Sequence, residues 1–484
     1  MSSASFRPSS AYFDLAAPDG AAFWDAVEPA KFPEHVLRYR NDRAAAPVGL
    51  DGLSDDEWIA HFGRFEPLPG AQKTPVALRY HGHQFRHYNP DIGDGRGFLF
   101  AQAHDGAGRL LDFGTKGSGR TPYSRSGDGR LTLKGAVREI LATEMLGALG
   151  VYTSKTLSVV ETGEALERHD EPSPTRSAVL VRLGHSHIRF GVFQRLAFFE
   201  ETQAIERLVG YCIDNLHPDL KGAADPAVAL FERVVAVSAR LAAQWMAAGF
   251  VHGVLNTDNQ NVTGESFDYG PWRFLPVLDP EFTAAYFDQT GLYAYGRQPE
   301  SVAWALAQFG GALTKVAEQE TLNAALGRFG ELYAEAAAAA FHKRLGLRRL
   351  GDDSDLQFVT DLFAWMRSSG VPFEQVFFDW FCGEASAARA AESPFRSRYD
   401  LPEWAPVEAG LRARAPERPE RLDHAYFKRE RPRTMLIDEV EAIWAPIAEA
   451  DDWSVFEAAL AEIALLREAH AVDPLSGFGP PGIR

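Results

Sequence analysis

The chain has 484 residues, 46% hydrophobic and 24% charged, an ordinary globular composition. Its 66 acidic residues against 49 basic ones give a formal charge of -17, which argues against nucleic acid or an anionic membrane as the main partner. Two distant cysteines, Cys212 and Cys382, give no basis for a disulfide framework or a zinc site. Met1 to Phe13 carries no signal pattern, and no uncharged apolar run reaches the roughly 18–20 residues of a membrane span, so a soluble, cytoplasmic protein is expected. The one alanine tract, Ala336 to Phe341, is short and sits inside a helical pattern.

In chain order, residues 1–75 mix aromatics with Pro and Ala and read as an arm wrapping the main body, with a helix start at Ser54. From Val76 to Thr115 the texture is β. A turn rich in Gly93, Gly95 and Gly97, with Arg96 inside it, leads into an apolar strand, a second turn at 105–108, and a strand ending on Lys116. Glycines let backbone N–H groups approach phosphate, and a Lys on the returning strand can hold a phosphate oxygen. Gly114 to Thr121 also reads as a Walker A loop with Arg in the Lys position, but no helix or βαβ alternation follows.

Seven basic residues (Arg109, Lys116, Arg120, Arg125, Arg130, Lys134, Arg138) face only two acids between 109 and 138, a local reversal expected to form a phosphate-facing surface. Lys134–Leu149 has helical spacing, with Gly150 as its stop. Glu139 on it would pair with Lys116, and Glu144 is the competing candidate. Strands follow at Thr156–Glu161 and Ser177–Leu183. Arg182 and Arg189, seven residues apart, suit polyphosphate oxygens. The group His81, His83 and His87 is read as structural.

From residue 196 the pattern is helical. Pro226–Phe250 delivers His252-Gly253-Val254-Leu255-Asn256-Thr257-Asp258-Asn259, followed by Asp268-Tyr269-Gly270. This reads as a kinase catalytic loop and metal-binding turn with one change. Val254 stands where the proton-accepting Asp belongs, and Asp258 precedes the Asn, as though the carboxylate had moved. A tight hairpin about Gly264-Glu265 is expected to return Asp268 to Asn259, so that one cation is shared. The fold expected is α+β, a protein-kinase-like two-lobed arrangement with extensions: an arm over 1–75, a β-rich N-lobe over 76–195, a helical C-lobe over 196–350 and a helical extension over 351–484.

Seven ordered motifs carry a resemblance over roughly residues 10 to 450: G-H-Q-F (82–85), G-D-G-R (93–96), K-G-S-G-R-T-P-Y-S-R (116–125), G-D-G-R (127–130), R-E-I-L (138–141), H-G-V-L-N-T-D-N (252–259) and D-Y-G-P (268–271). Together they resemble the selenoprotein O family of pseudokinase-fold protein adenylyltransferases. The resemblance implies a nucleotide flipped relative to kinases, with AMP passed from ATP to Ser, Thr or Tyr hydroxyls of proteins. It implies that Gly93, Gly95, Arg96, Lys116, Asp128, Gly129, Arg182 and Arg189 bind nucleotide and that Glu139 pairs with Lys116. Asn259 and Asp268 would hold Mg²⁺ or Mn²⁺, with Asp258 as general base. UMP transfer from UTP, conventional phosphotransfer and a non-catalytic nucleotide scaffold stand as alternatives. The chain departs from the family at Arg86, where Gly is usual, and in a Gly/Pro-rich tail without Cys, so redox regulation through the tail is not expected.

Overall fold

The computed structural model describes residues 5–15, 22–169 and 171–470; the tail Ser476–Arg484 lies outside them. The architecture is α+β, with strands concentrated before residue 185 and helices after it. Among the described residues no helix is long and apolar enough to cross a membrane.

The main sheet has nine strands. Its path runs β2 (Trp24–Ala26), β4 (Val76–Leu78), β7 (Leu99–His104), β8 (Leu110–Lys116), β11 (Thr175–Gly184), β10 (Lys155–Leu166) and β3 (Val36–Arg40), with β1 (Pro8–Ser9) on β7 and β9 (Leu131–Thr132) on β11. The amino-terminal arm is therefore part of the sheet, supplying β2 at one end of the path and β3 at the other. The edges of the sheet thus fall on these short arm strands, of three and five residues, which limits pairing with other chains. The central strands β7, β8 and β11 are buried on both faces, which explains their apolar runs without alternation.

One face packs on the helix Leu133–Ala148, where Val137, Ile140, Leu141 and Met145 are all buried. The other face closes over Trp58 and Phe62 from the helix Asp55–Phe62. Ser54 caps that helix through a reciprocal bond set with Glu57. Beyond the sheet, the helix Pro226–Ala247 runs through the core and packs along Phe329–Arg344. Between Ala415 and Arg433 only short 3₁₀ turns occur, and Ile437–Ala450 and Ser454–Ala469 close the described chain. The closing helix is tied back by Arg467, which meets Glu144 at 2.6 Å. Glu144 also takes Arg43 at 2.7 Å, so the competing candidate for Lys116 is occupied elsewhere.

Candidate active site

The strand β8 ends on Lys116 because Gly117 follows with φ +83°, a left-handed conformation that turns the chain out of the sheet. The ammonium meets Glu139 Oε2 at 2.6 Å and Asp268 Oδ1 at 2.9 Å. The Glu139 side chain is 1% exposed. It reaches Lys116 because the Leu133–Ala148 helix, capped by Thr132, directs this turn at the sheet. A buried carboxylate of this kind is tolerable only when paired.

Arg182, on β11, and Arg189, just beyond it, complete the cationic set. Arg182 Nη1 lies 3.5 Å from Asp268 Oδ1, and Arg189 Nη1 lies 3.4 Å from Asp268 Oδ2. Arg189 also donates to the Asp258 carbonyl at 2.8 Å and faces Asp94 at 3.4 Å. Its guanidinium is sandwiched between Tyr80 (4.6 Å) and Phe267 (4.9 Å), which fixes its plane. Burial pushes the Asp268 carboxyl up, but Lys116, Arg182 and Arg189 outweigh it and hold the group well below the usual carboxylate range. Asp268 adopts φ +64°, a conformation L-residues hold only when their surroundings enforce it.

The catalytic stretch differs from the expected hairpin. Phe190 N–H donates to the Gln260 carbonyl at 3.0 Å, while Ser154 N–H donates to the Ser266 carbonyl at 3.0 Å. The two arms around Gly264 thus pair outward, with 188–190 and 152–154, rather than with each other. The reason lies in those partners: both segments leave strands of the main sheet and offer unpaired backbone groups. Arg189, not an intervening ladder, joins Asp258 to Asp268. His252 Nε2–H donates to the Phe267 carbonyl (3.0 Å) and so orders the backbone before Asp268.

Asp258 sits on a single 3₁₀ turn, Thr257–Asn259, and is 8% exposed. Burial pushes its carboxyl up to about 6 against the pull of Arg189. Gln84 bonds this carboxylate, yet Oδ1 is buried without a partner among the described residues. Gly82 makes the approach possible: a Cβ there would stand 3.0 Å from Asp258 Oδ1. The short hairpin of β5 (Gly82–Gln84) and β6 (His87–Asn89) is locked over the loop by Thr257 Oγ1 and Asn256 Oδ1, which accept from His83 and Phe85 N–H at 2.7 and 3.0 Å. His81 bonds Tyr88 and His83 bonds Gln194, both through ring nitrogens.

These groups open onto a cavity of about 860 Å³. Gly93, Gly95, Arg96, Lys116, Asp128, Gly129, Arg182, Arg189, Asp258 and Asp268 all line it. Two expected site residues do not: Glu139 stands behind Lys116, and Asn259 lies beside the wall, half-buried. Gly97 is required where the turn crosses β8, since a Cβ would come within 2.0 Å of the Thr115 carbonyl oxygen. Asp128 is mostly exposed and pairs with Arg168 at 2.8 Å, so it sits at the mouth of the cavity.

The run of seven basic residues does not form one surface. Arg109 pairs with Asp105, Arg130 with Glu164 and Lys134 with Glu441, while Arg138 lies over Trp272. Only Lys116, Arg125 and Arg130 of the seven line the cavity. The alternation of Gly and Pro turns the chain between those positions, which scatters them. Tyr80, Gln84 and Asp94 also line the cavity, and Phe267 packs on Arg189 behind it. Gln84 and Asp94 fall within the quoted motifs without a role assigned there, whereas Tyr80 and Phe267 act through neighbours distant in the chain and left no signal in the sequence.

The oxygen donors present suit a hard divalent cation. Asn259 makes no side-chain hydrogen bond among the described residues, and the Asp258 Oδ1 orphan lies in the next residue. Asp268 is held by three cations that a bound polyphosphate would draw away.

The family model for the protein adenylyltransferase SelO matches residues 9–464. The chain belongs to the SelO family. SelO relatives described as "Protein nucleotidyltransferase YdiU" include one from Synechococcus elongatus, 42% identical over 91% of this chain and 92% of its own. Another, from Gloeobacter violaceus, is 44% identical over 90% and 91%. A third, from Mycobacterium sp. (strain KMS), is 37% identical over 92% and 90%.

Proposed function

We propose that this chain transfers AMP from ATP to Ser, Thr or Tyr hydroxyls of proteins, in a kinase-like two-lobed fold that presents the nucleotide flipped. On this reading the lobes are residues 76–195 and 196–350, with the arm over 1–75 and a helical extension over 351–484. The reading rests on one arrangement: Lys116, Arg182 and Arg189 converge on Asp268 across the cavity wall that also carries the buried Asp258. Three cationic side chains gathered on one cavity wall offer charge-assisted donors suited to the oxygens of a triphosphate.

The acceptor oxygen attacks the α-phosphorus, and the bond from that phosphorus to the bridging oxygen breaks. Pyrophosphate leaves, and the hydroxyl proton passes to Asp258. Lys116 and the two arginines hold phosphate oxygens where charge develops, without having to reorganise. Glu139 keeps the Lys116 ammonium extended. Gly93, Gly95 and Gly129 bring backbone N–H groups close to the chain of phosphates, and Arg96 and Asp128 border its mouth. Asn259 and Asp268 would hold Mg²⁺ or Mn²⁺, which supplies further charge neutralisation at the phosphates.

The relatives' description as nucleotidyltransferases leaves the base open, so UTP belongs in the test. The chain is incubated with an acceptor protein and ATP labelled at the α or the γ position, and with α-labelled UTP. Label retained from α-ATP alone supports AMP transfer. Label from the γ position means phosphotransfer, and label from UTP in preference to ATP means uridylyl transfer.

A further inference from the structure

The alanine tract Ala336–Ala340 has no part in the chemistry above. It lies on the helix Phe329–Arg344, packed along Pro226–Ala247. Small side chains there leave a second cavity of about 340 Å³, remote in sequence from the nucleotide wall. Ala336, Ala339 and Ala340 line one side, and Ala236, Val237 and Leu149 the other. These walls are apolar, but three cations border them: Arg240, Lys343 and Arg344.

The cations are under-paired. Arg344 is 4% exposed; Nη2 is spent on Glu374 at 2.6 Å, but Nη1 is buried without a partner among the described residues. Arg240 Nη2 is likewise buried and unpartnered. Burial and Arg233 pull the Arg240 guanidinium down from its ordinary value, with Tyr152 opposing, and burial lowers the Lys343 ammonium. Glu417 is the one carboxylate whose charge acts on Lys343, and no ion pair of Arg240 or Lys343 with a carboxylate is found among the described residues. Glu335, the acid bordering the cavity, is engaged by Arg349 at 2.8 Å. Lys343 is exposed, but the Arg344 guanidinium and Arg240 Nη2 are buried, and buried cationic donors are costly unless an anion meets them.

We propose that this cavity binds an amphipathic organic anion, a carboxylate head joined to an aliphatic body. The head meets Arg240, Lys343 and the free Arg344 Nη1, and the body lies along the alanine face. The volume falls within the range of small-molecule sites, about 300–1,000 Å³. The site lies against the carboxy-terminal end of the helix that leads into the catalytic loop: Arg344 Nε donates to the Ala247 carbonyl at 3.3 Å.

Calorimetric titration of the full chain with dodecanoate, below its micelle concentration, tests this. One saturable site is expected, with dodecanol and acetate each binding far more weakly. K343Q, at an exposed position, and R240Q should each weaken dodecanoate by about tenfold, the loss of one charge-assisted contact. A339F should abolish binding by filling the cavity. Absence of saturable binding, dodecanol binding as tightly as dodecanoate, or unchanged affinity in K343Q and A339F would overturn the proposal.

Discussion

Two carboxylates in this molecule are each met by several cationic groups, and the contrast between them separates function from architecture. Asp355, in the helical part, takes Arg414 at 3.1 Å and Arg349 at 3.2 Å, with the His342 ring beside it accepting from Arg414 Nε at 2.7 Å. It also accepts backbone N–H from Leu350 and Gly351 at 3.0 and 2.9 Å, and is 1% exposed. Both oxygens accept hydrogen bonds, and neither is left without a partner among the described residues. Asp268 takes Lys116, Arg182 and Arg189, lines a cavity, and sits on a left-handed backbone. Around it, Glu139 Oε1, Arg182 Nη1 and Arg189 Nε are buried without hydrogen-bond partners among the described residues. A saturated cluster holds helices together; an unsaturated one is arranged for something that has yet to arrive.

The comparison can be broken by exchanging the consequences of mutation. Asp268→Ala should lower transfer of nucleotide by about 10²–10⁴-fold, the range for losing a preorganised electrostatic partner, and lower the melting temperature less than a change at Asp355, because Asp268 is part-exposed. Its measurement is label incorporation beside thermal unfolding. Asp355→Asn should do the reverse: stability falls by about 3 kcal/mol, because two guanidinium groups lose a buried partner, while activity per folded molecule holds. Denaturant unfolding at constant slope reads this. Loss of activity in folded Asp355→Asn would erase the distinction.

Acid gives a third, smaller handle. Burial raises the Asp355 carboxyl, but the Gly351 and Leu350 N–H groups, His342 and Arg414 hold it down to about 2. A carboxyl lowered by folding contributes stability that is complete above its unfolded value and fades as pH falls through the folded one. Wild type should therefore lose stability between about pH 4 and pH 2 more steeply than Asp355→Asn, as followed by unfolding at stepped pH. The smallest effect concerns Arg86, at φ +64° in the tight β5–β6 turn. Arg86→Gly relieves that backbone but loses the Glu300 pair at 3.1 Å and the stacking on Trp304, so stability should shift by less than about 1 kcal/mol.

Much of the site was legible because its residues sit at fixed local offsets. Lys116 closes an apolar strand, Glu139 rides one helix behind it, and the Val254-to-Asp258 displacement is visible within a single loop. The helices expected over 134–149 and 226–250 from apolar spacing are found at 133–148 and 226–247. What failed were inferences that needed long-range pairing. The hairpin expected between Asn259 and Asp268 gave way to pairing with 188–190 and 152–154, whose availability depends on how β10 and β11 end. The basic run looked continuous because its acidic partners, Glu164 and Glu441, lie far along the chain. Arg189 was expected from its spacing to Arg182, but its clamp between Tyr80 and Phe267 joins three distant segments.

The account turns on Asp258 acting on the acceptor rather than on the nucleotide. The most direct measurement pairs ATP-binding calorimetry with α-label transfer for wild type and Asp258→Ala. The account predicts ATP affinity within a few-fold of wild type and transfer reduced by at least about 10²-fold, the ordinary contribution of a general base. Transfer that survives the substitution, with ATP still bound, would contradict it.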